Sequence, residues 1–201
     1  MFNQNDFDVF NDRTLEGRMT KIKTIIDPKF EQLAGTLQPI LQDKGVIVYS
    51  HIAKHLRRTI NPPVDTWVAF GPHKKGYKKD PHFEVGFWPD CMFVWLDVLQ
   101  EARVQEGITS RVMQSEKLVS YLGNNWSISN DHTTSTVVKN TSENLAAIVS
   151  KFSNLKTSEF LVGKMWPSND QFFSLESEKQ QTIITDTIVS MLPVYKMLIG
   201  E

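Results

Sequence analysis

Residues 65–99 read DTWVAFGPHKKGYKKDPHFEVGFWPDCMFVWLDVL. Three runs rich in β-branched and aromatic residues stand out: DTWVAFG (65–71), HFEVGFW (82–88) and CMFVWLDVL (91–99). They are separated by PHKKGYKKDP (72–81) and by the turn at Pro89-Asp90. Runs of this composition, bounded by Pro, Gly and Asp, read as strands. Their short connections leave no room for a crossover, so they are predicted to be antiparallel neighbours. Side chains alternate along a strand. One face then carries Val68, Phe70, Phe83, Val85, Phe87, Met92, Val94 and Leu96 and belongs to the core. The other carries Asp65, Trp67, His82, Glu84, Gly86, Trp88, Phe93, Trp95 and Asp97, at once aromatic and ionisable. Aromatic walls with a few polar groups are the composition of a ligand pocket. The alternative is that helices cover the tryptophans and the charges sit at the rim of the sheet.

Working outward, VIVYSHIA (46–53), WSIS (126–129), STVVK (135–139) and EFLVGKMW (159–166) read as further strands. TLEGRMTKIKTI (14–25) has the apolar spacing of a helix that Pro28 interrupts, and Pro28 opens a second helix that Gly45 ends. Asn140 with Glu143 resembles a capping box for ENLAAIVSKF (143–152). A last helix from about Glu176 stacks Ile184, Ile188, Met191, Tyr195 and Leu198. The expected fold is therefore α+β: a single domain over residues 1–201, with a mainly antiparallel sheet flanked by N-terminal and C-terminal helices.

A chain of 201 residues buries a full core without disulfides or metal. The lone Cys91 excludes an intramolecular disulfide and fits a reducing compartment. The start, MFNQNDFDVF, lacks the basic and apolar regions of a signal peptide. No apolar run approaches the roughly 18 residues that span a bilayer. The expectation is a cytoplasmic protein with no membrane partner.

The net charge of −1 gives no global field toward nucleic acid, but the charge is unevenly placed. Between His51 and His82 lie seven Lys/Arg, two acids and four of the five histidines, whereas the rest of the chain has 15 Lys/Arg and 21 acids. The segment HIAKHLRRTINPP (51–63) supplies Lys54, His55, Arg57 and Arg58, and the loop at 72–81 supplies Lys74, Lys75, Lys78 and Lys79. Arg binds phosphate or carboxylate with a planar fork and Lys adds point charge. Tyr77, with Trp67, Trp88 and Trp95, offers stacking surface, and basic residues interleaved with aromatics suit nucleotides or single-stranded nucleic acid. The alternative is a solvated lysine loop that protects a hairpin.

No metal site is expected. HIAKH has a His-x-x-x-His spacing but Ile52 where a zinc-protease helix carries Glu, and its neighbours are cations. No phosphate-binding glycine loop or nucleophile elbow is present, and no cofactor is expected. His82 and Glu84 share a strand face and are the candidate acid/base pair for phosphoester chemistry. His132-Thr133-Thr134 resembles one half of the paired His-x-Thr arrangement of some phosphodiesterases, without the second half.

DFDVF near the start, LEGRM, PKF, HIAKHLRRTINPPVDTWVAF and KKGYKKDPHFEVGFW together resemble the YktB-like family of small bacterial proteins. The resemblance implies a compact α+β fold and a cytoplasmic protein of a Gram-positive bacterium, and implies no activity. Three functions remain open on the sequence. The first is binding of an anionic ligand, nucleic acid being the favoured class. The second is an enzyme acting on a phosphoester through His82 and Glu84. The third is an interaction protein that meets an acidic partner.

Overall fold

A computed structural model describes residues 1–201. Helices α1 (Leu15–Lys21) and α2 (Asp27–Asp43) are joined by a π-helical turn, Ile22–Ile26, rather than by a break. Pro28 explains the turn. It has no N–H to donate and its ring collides with the carbonyl one turn back, so the chain widens there. The Asp27 N–H accordingly reaches back to the Ile22 carbonyl. Gly45, at φ +80°, closes the helix as expected.

Strands β1 (Tyr49–Ile52), β2 (Thr66–Gly71), β3 (His82–Phe87), β4 (Cys91–Val98), β5 (Ser127–Ser129), β6 (Val138–Lys139) and β7 (Phe160–Pro167) form one sheet in the order β1-β2-β3-β4-β7-β5-β6. Every pairing is antiparallel, so the fold is α+β with an antiparallel sheet, as the sequence predicts. Helix α3 (Ile108–Ser120), α4 (Ser142–Asn154) and α5 (Ser177–Ile199) complete the chain. The cap of α4 lies one residue later than expected. Thr141 accepts from the Asn144 N–H, while Asn140 is buried and donates to the carbonyls of Val119 and Gly123.

The predicted apolar face (Val68, Phe70, Phe83, Val85, Phe87, Met92, Val94, Leu96) is wholly buried in a core shared with α2, α3, α4 and α5. α5 is the one helix long and apolar enough to cross a membrane. Its Ile184, Ile188, Met191, Tyr195 and Leu198 are all within that core, which accounts for its composition.

The opposite face has no helix on it. Trp88, Cys91, Phe93, Trp95 and Leu161 make a second, smaller apolar cluster, flanked by Trp67, Val137 and Met165. Three glycines keep this face flat. A Cβ on Gly86 would lie 2.4 Å from the Phe93 ring, one on Gly163 would lie 2.5 Å from the Trp95 ring, and one on Gly71 would lie 2.7 Å from Cβ of Tyr77. Gly86 and Gly163 face Phe93 and Trp95 across the ladder, so each ring lies over the bare backbone opposite it. The aromatic residues thus bury themselves against the sheet, and loops suffice to cover the rest.

The two kinds of glycine in this fold predict opposite effects. Gly163→Ala, whose Cβ would also meet the Val94 carbonyl oxygen at 1.9 Å, is expected to lower stability by at least about 1–3 kcal/mol. Gly35→Ala, exposed in α2 with nothing within 4 Å, should raise it by about 0.5–1 kcal/mol. Urea unfolding midpoints of the two variants check both signs.

Candidate functional site

β1 ends at Ile52, and the chain then turns: the Arg58 N–H donates to the His55 carbonyl. His55 has φ +48° and is the only non-glycine residue with positive φ. HIAKH is therefore strand and turn, not helix, and His51 and His55 never share a helical face. His51 Nε2 meets the carbonyl of His73, whereas His55 Nε2 meets Thr66 Oγ1. The far end of the segment is pinned by Arg18, a buried guanidinium that donates to the carbonyls of Pro63, Phe10 and Asp12.

The lysine loop is held as firmly. Gly76, at φ +77°, turns it, and Tyr77 folds back onto Gly71. The Tyr77 hydroxyl accepts from Trp67 Nε1 at 2.9 Å. Gln105 donates to the Lys79 carbonyl and to Asp80.

These two segments meet the loop after β5 around a cavity of about 740 Å³. Its wall includes Lys54, His55, Arg57 and Arg58 from the first segment, Trp67 and Asp65 at the start of β2, Tyr77 and Lys78 from the second, and His132. A second cavity of about 770 Å³ lies on the other side of Tyr77 and takes Lys75, Lys78 and Lys79 in its wall. Lys74 stands apart, over the Tyr49 ring at 5.8 Å. None of Lys54, Arg57, Arg58, Lys74, Lys75, Lys78 or Lys79 is paired with a carboxylate; the ion pairs nearby are those of His73 with Asp80 and of His132 with Glu159.

The structure thus joins the basic segment to part of the aromatic face. Trp67 and Tyr77 reach the cavity; Trp88 and Trp95 do not, being buried in the second apolar cluster. His82 and Glu84 also lie outside its wall. His82 is fully buried beneath Tyr77, with ring centroids 4.8 Å apart. Its Nδ1 donates to the Asp80 carbonyl at 2.7 Å, and Nε2 shares a hydrogen with Glu84 Oε1 at 3.1 Å. Both ring nitrogens are thereby engaged. Cys91 is buried, and burial together with Asp90 pushes its thiol up, so it is a core side chain.

The electrostatics of the cavity are mixed. Burial and Arg58 push His55 down to about 4, so at neutral pH it offers hydrogen bonds and no charge. Burial, then the charge of Glu84, push Asp65 up to about 6. His132 behaves in the opposite way to His55. Burial alone would lower it, but the hydrogen bond and charge of Glu159 outweigh that and hold it above the usual histidine value. His132 Nδ1 lies 2.6 Å from Glu159 Oε2, which also accepts the His132 backbone N–H at 2.8 Å. Sequence reading leaves His132 without a partner because Glu159 follows 27 residues later, beyond α4.

Two groups of possible metal donors come together. His82, Glu84 and Asp97 place ligand atoms within 4.8 Å of one another, as do Asp131, His132 and Glu159. In the second group the two carboxylates are engaged within the protein, Asp131 by Thr133 and Glu159 by His132 Nδ1. In the first, His82 and Glu84 satisfy each other, and Asp97 is left over. Asp97 is fully buried and neither of its oxygens meets a donor. Burial, with the charges of Glu84 and Glu159, raises it well above the carboxylate range.

The arrangement defines a class: an antiparallel α+β domain whose uncovered sheet face carries a loop-built cavity lined by unpaired cations. The comparisons place it in a family. A model described as a domain of unknown function (DUF1054) matches residues 2–195. A "UPF0637 protein" of Levilactobacillus brevis is 40% identical over 202 residues, covering 100% of both chains. Another, of Lactiplantibacillus plantarum, is 41% identical over 197 residues, with 98% and 94% covered. The similarly titled protein of Oceanobacillus iheyensis is 38% identical over 201 residues, with 100% and 97% covered. The chain belongs to this bacterial family of unknown function, in agreement with the resemblance carried by its motifs from DFDVF to KKGYKKDPHFEVGFW.

The orphaned acid gives a prediction. A carboxyl whose folded pKa is raised supports stability below its unfolded value near 4, and that support is lost as pH rises through the folded value. Asp97→Asn removes the titration, so its melting temperature should gain on the parent chain as pH rises. The difference should be smallest near pH 4.5 and largest near pH 8. Thermal melts at the two pH values, with EDTA present, measure it.

Proposed function

We propose that the chain binds a phosphate-bearing ligand, a nucleotide unit, in the cavity between the two basic loops. The observation that carries this reading is the wall itself: Lys54, Arg57, Arg58 and Lys78 converge on one concavity with no carboxylate partner. Unpaired cations at a surface are common, but cations gathered in a pocket repel one another unless an anion joins them. In the same wall, Trp67 and Tyr77 are half-buried and locked together by a hydrogen bond, so a base can stack there without ordering a mobile side chain. The volume falls within the usual range of small-molecule sites, roughly 300–1,000 Å³.

The phosphate could belong to a free nucleotide or to the end of a single strand, and the test separates them. Adenosine 5′-monophosphate, inorganic phosphate and a ten-nucleotide single strand are each added to the chain, and melting temperature is followed. Binding to the native state alone raises it. The nucleotide or the strand should raise it more than phosphate does, and Arg57→Ala/Arg58→Ala should abolish the rise. Each charge-assisted contact is worth about 1.5–3 kcal/mol, so the double variant should bind at least about 100-fold more weakly. A preference for the strand with a steep salt dependence identifies nucleic acid as the source. No rise with any of the three would refute the reading, and equal rises in the double variant would displace the site from this cavity.

A further inference from the structure

Resting on that binding site, we propose a catalytic use for it: His132, positioned by Glu159, is the proton donor in hydrolytic cleavage of a nucleotide phosphate ester held in the cavity. The other histidines are unsuited. His82 is fully buried with both nitrogens engaged, His51 borders the cavity but is held by the neutral His73 carbonyl and has no carboxylate behind it, and His73 stands outside this cavity. His55 lies in the wall but is uncharged at neutral pH.

His132 alone combines three properties. It lines the cavity beside Lys54, Arg57, Arg58 and Lys78. Its Nδ1 hydrogen is committed, because a carboxylate oxygen can only accept, and Glu159 Oε2 is 2.6 Å away. Glu159 itself is 3% exposed and sits at the entry to β7, where the central sheet fixes it. Nε2, finally, has no partner in the protein, so it is the free end of a ring whose other end is clamped. A buried carboxylate behind Nδ1 fixes the tautomer and orientation of an imidazole and stabilises its protonated form. The raised pKa of His132 agrees with that arrangement.

The step balances with water as co-reactant. Water attacks phosphorus while the cations neutralise the non-bridging oxygens. The bond between phosphorus and the ester oxygen breaks, and its electron pair stays on that oxygen, which takes the proton from His132 Nε2. The proton of the attacking water passes to Asp65, which lines the same cavity and feels the charge of His132. Proton exchange with solvent restores both groups. The products are an alcohol and a phosphate.

The test uses esters that differ in their need for a proton. Adenosine 5′-monophosphate and the dinucleotide adenylyl-adenosine have poor leaving groups. p-Nitrophenyl phosphate and bis(p-nitrophenyl) phosphate release a phenolate that leaves unaided. The parent chain should cleave one nucleotide ester and its aryl counterpart. His132→Gln should lose about 10²–10⁴-fold on the nucleotide ester and less than tenfold on the aryl ester, while adenosine 5′-monophosphate still raises its melting temperature. Glu159→Gln, which keeps the shape of the positioning side chain but removes the negative charge behind Nδ1, should move the alkaline limb of the rate profile to lower pH. That limb reflects His132 in the field of Glu159, Glu84, Asp131, Asp65 and Lys78, and in the parent chain the rate should fall as pH rises through it, a readout that needs no variant. Equal losses on both leaving groups would make His132 structural. No turnover of any ester, with the nucleotide-induced rise intact, would overturn catalysis and leave the binding site standing. Loss of both would overturn the two together.

Discussion

Everything on the functional side of this molecule depends on three glycines in one sheet face. Gly71, Gly86 and Gly163 leave bare backbone where Tyr77, Phe93 and Trp95 lie down. The centre of the sheet is consequently sealed on both sides, by helices on one and by flattened aromatic rings on the other. β3 and β4 are buried along their whole length although only one of their faces meets a helix. A face closed in this way needs no second layer of secondary structure, and irregular segments can occupy it.

Those segments are the basic turn after β1, the lysine loop and the turn after β5. Loops placed on a rigid sheet carry binding groups without disturbing the core, and each of these is anchored by a contact to the body of the fold. Arg18 fixes the first, Gln105 and Gly71 the second, and Glu159 the third. The anchoring has an electrostatic consequence. Glu84, Asp97 and Glu159 gather beneath the cavity while the cations stand around its rim. Burial and then Glu84 raise Asp65, the hydrogen bond and charge of Glu159 outweigh burial to raise His132, and the cations at the rim have no carboxylate partner.

Much of the fold is legible in the sequence because strand alternation is a local property. Residues 65–99 declare their three strands, their antiparallel pairing and the two unlike faces. The position of β7 between β4 and β5 is not legible, since alternation identifies strands without ordering them. Pro28 shows a similar limit. A proline inside a helical pattern announces a disturbance, but whether it ends the helix or widens one turn is decided by packing on both sides. Within the site, the density of charge in residues 51–82 marks the basic wall. The alternation that puts four aromatic residues together cannot separate Trp67, which borders the cavity, from Trp88 and Trp95, which the glycines draw into the sheet. His82 and Glu84 share a face as read, yet their depth below Tyr77 is a tertiary fact. The pairing of His132 with Glu159 spans α4 and has no signal in spacing at all.

The central claim is that the cavity between these loops is where phosphate binds. The most direct measurement is a ¹⁵N nuclear magnetic resonance titration with adenosine 5′-monophosphate, following the side-chain nitrogens of Arg57, Arg58, Trp67, His82 and His132. The account predicts saturable shifts at Arg57, Arg58, Trp67 and His132 with one common affinity, and little change at the buried His82. Silence at those four positions, or shifts confined to the lysines beyond Tyr77, would contradict it.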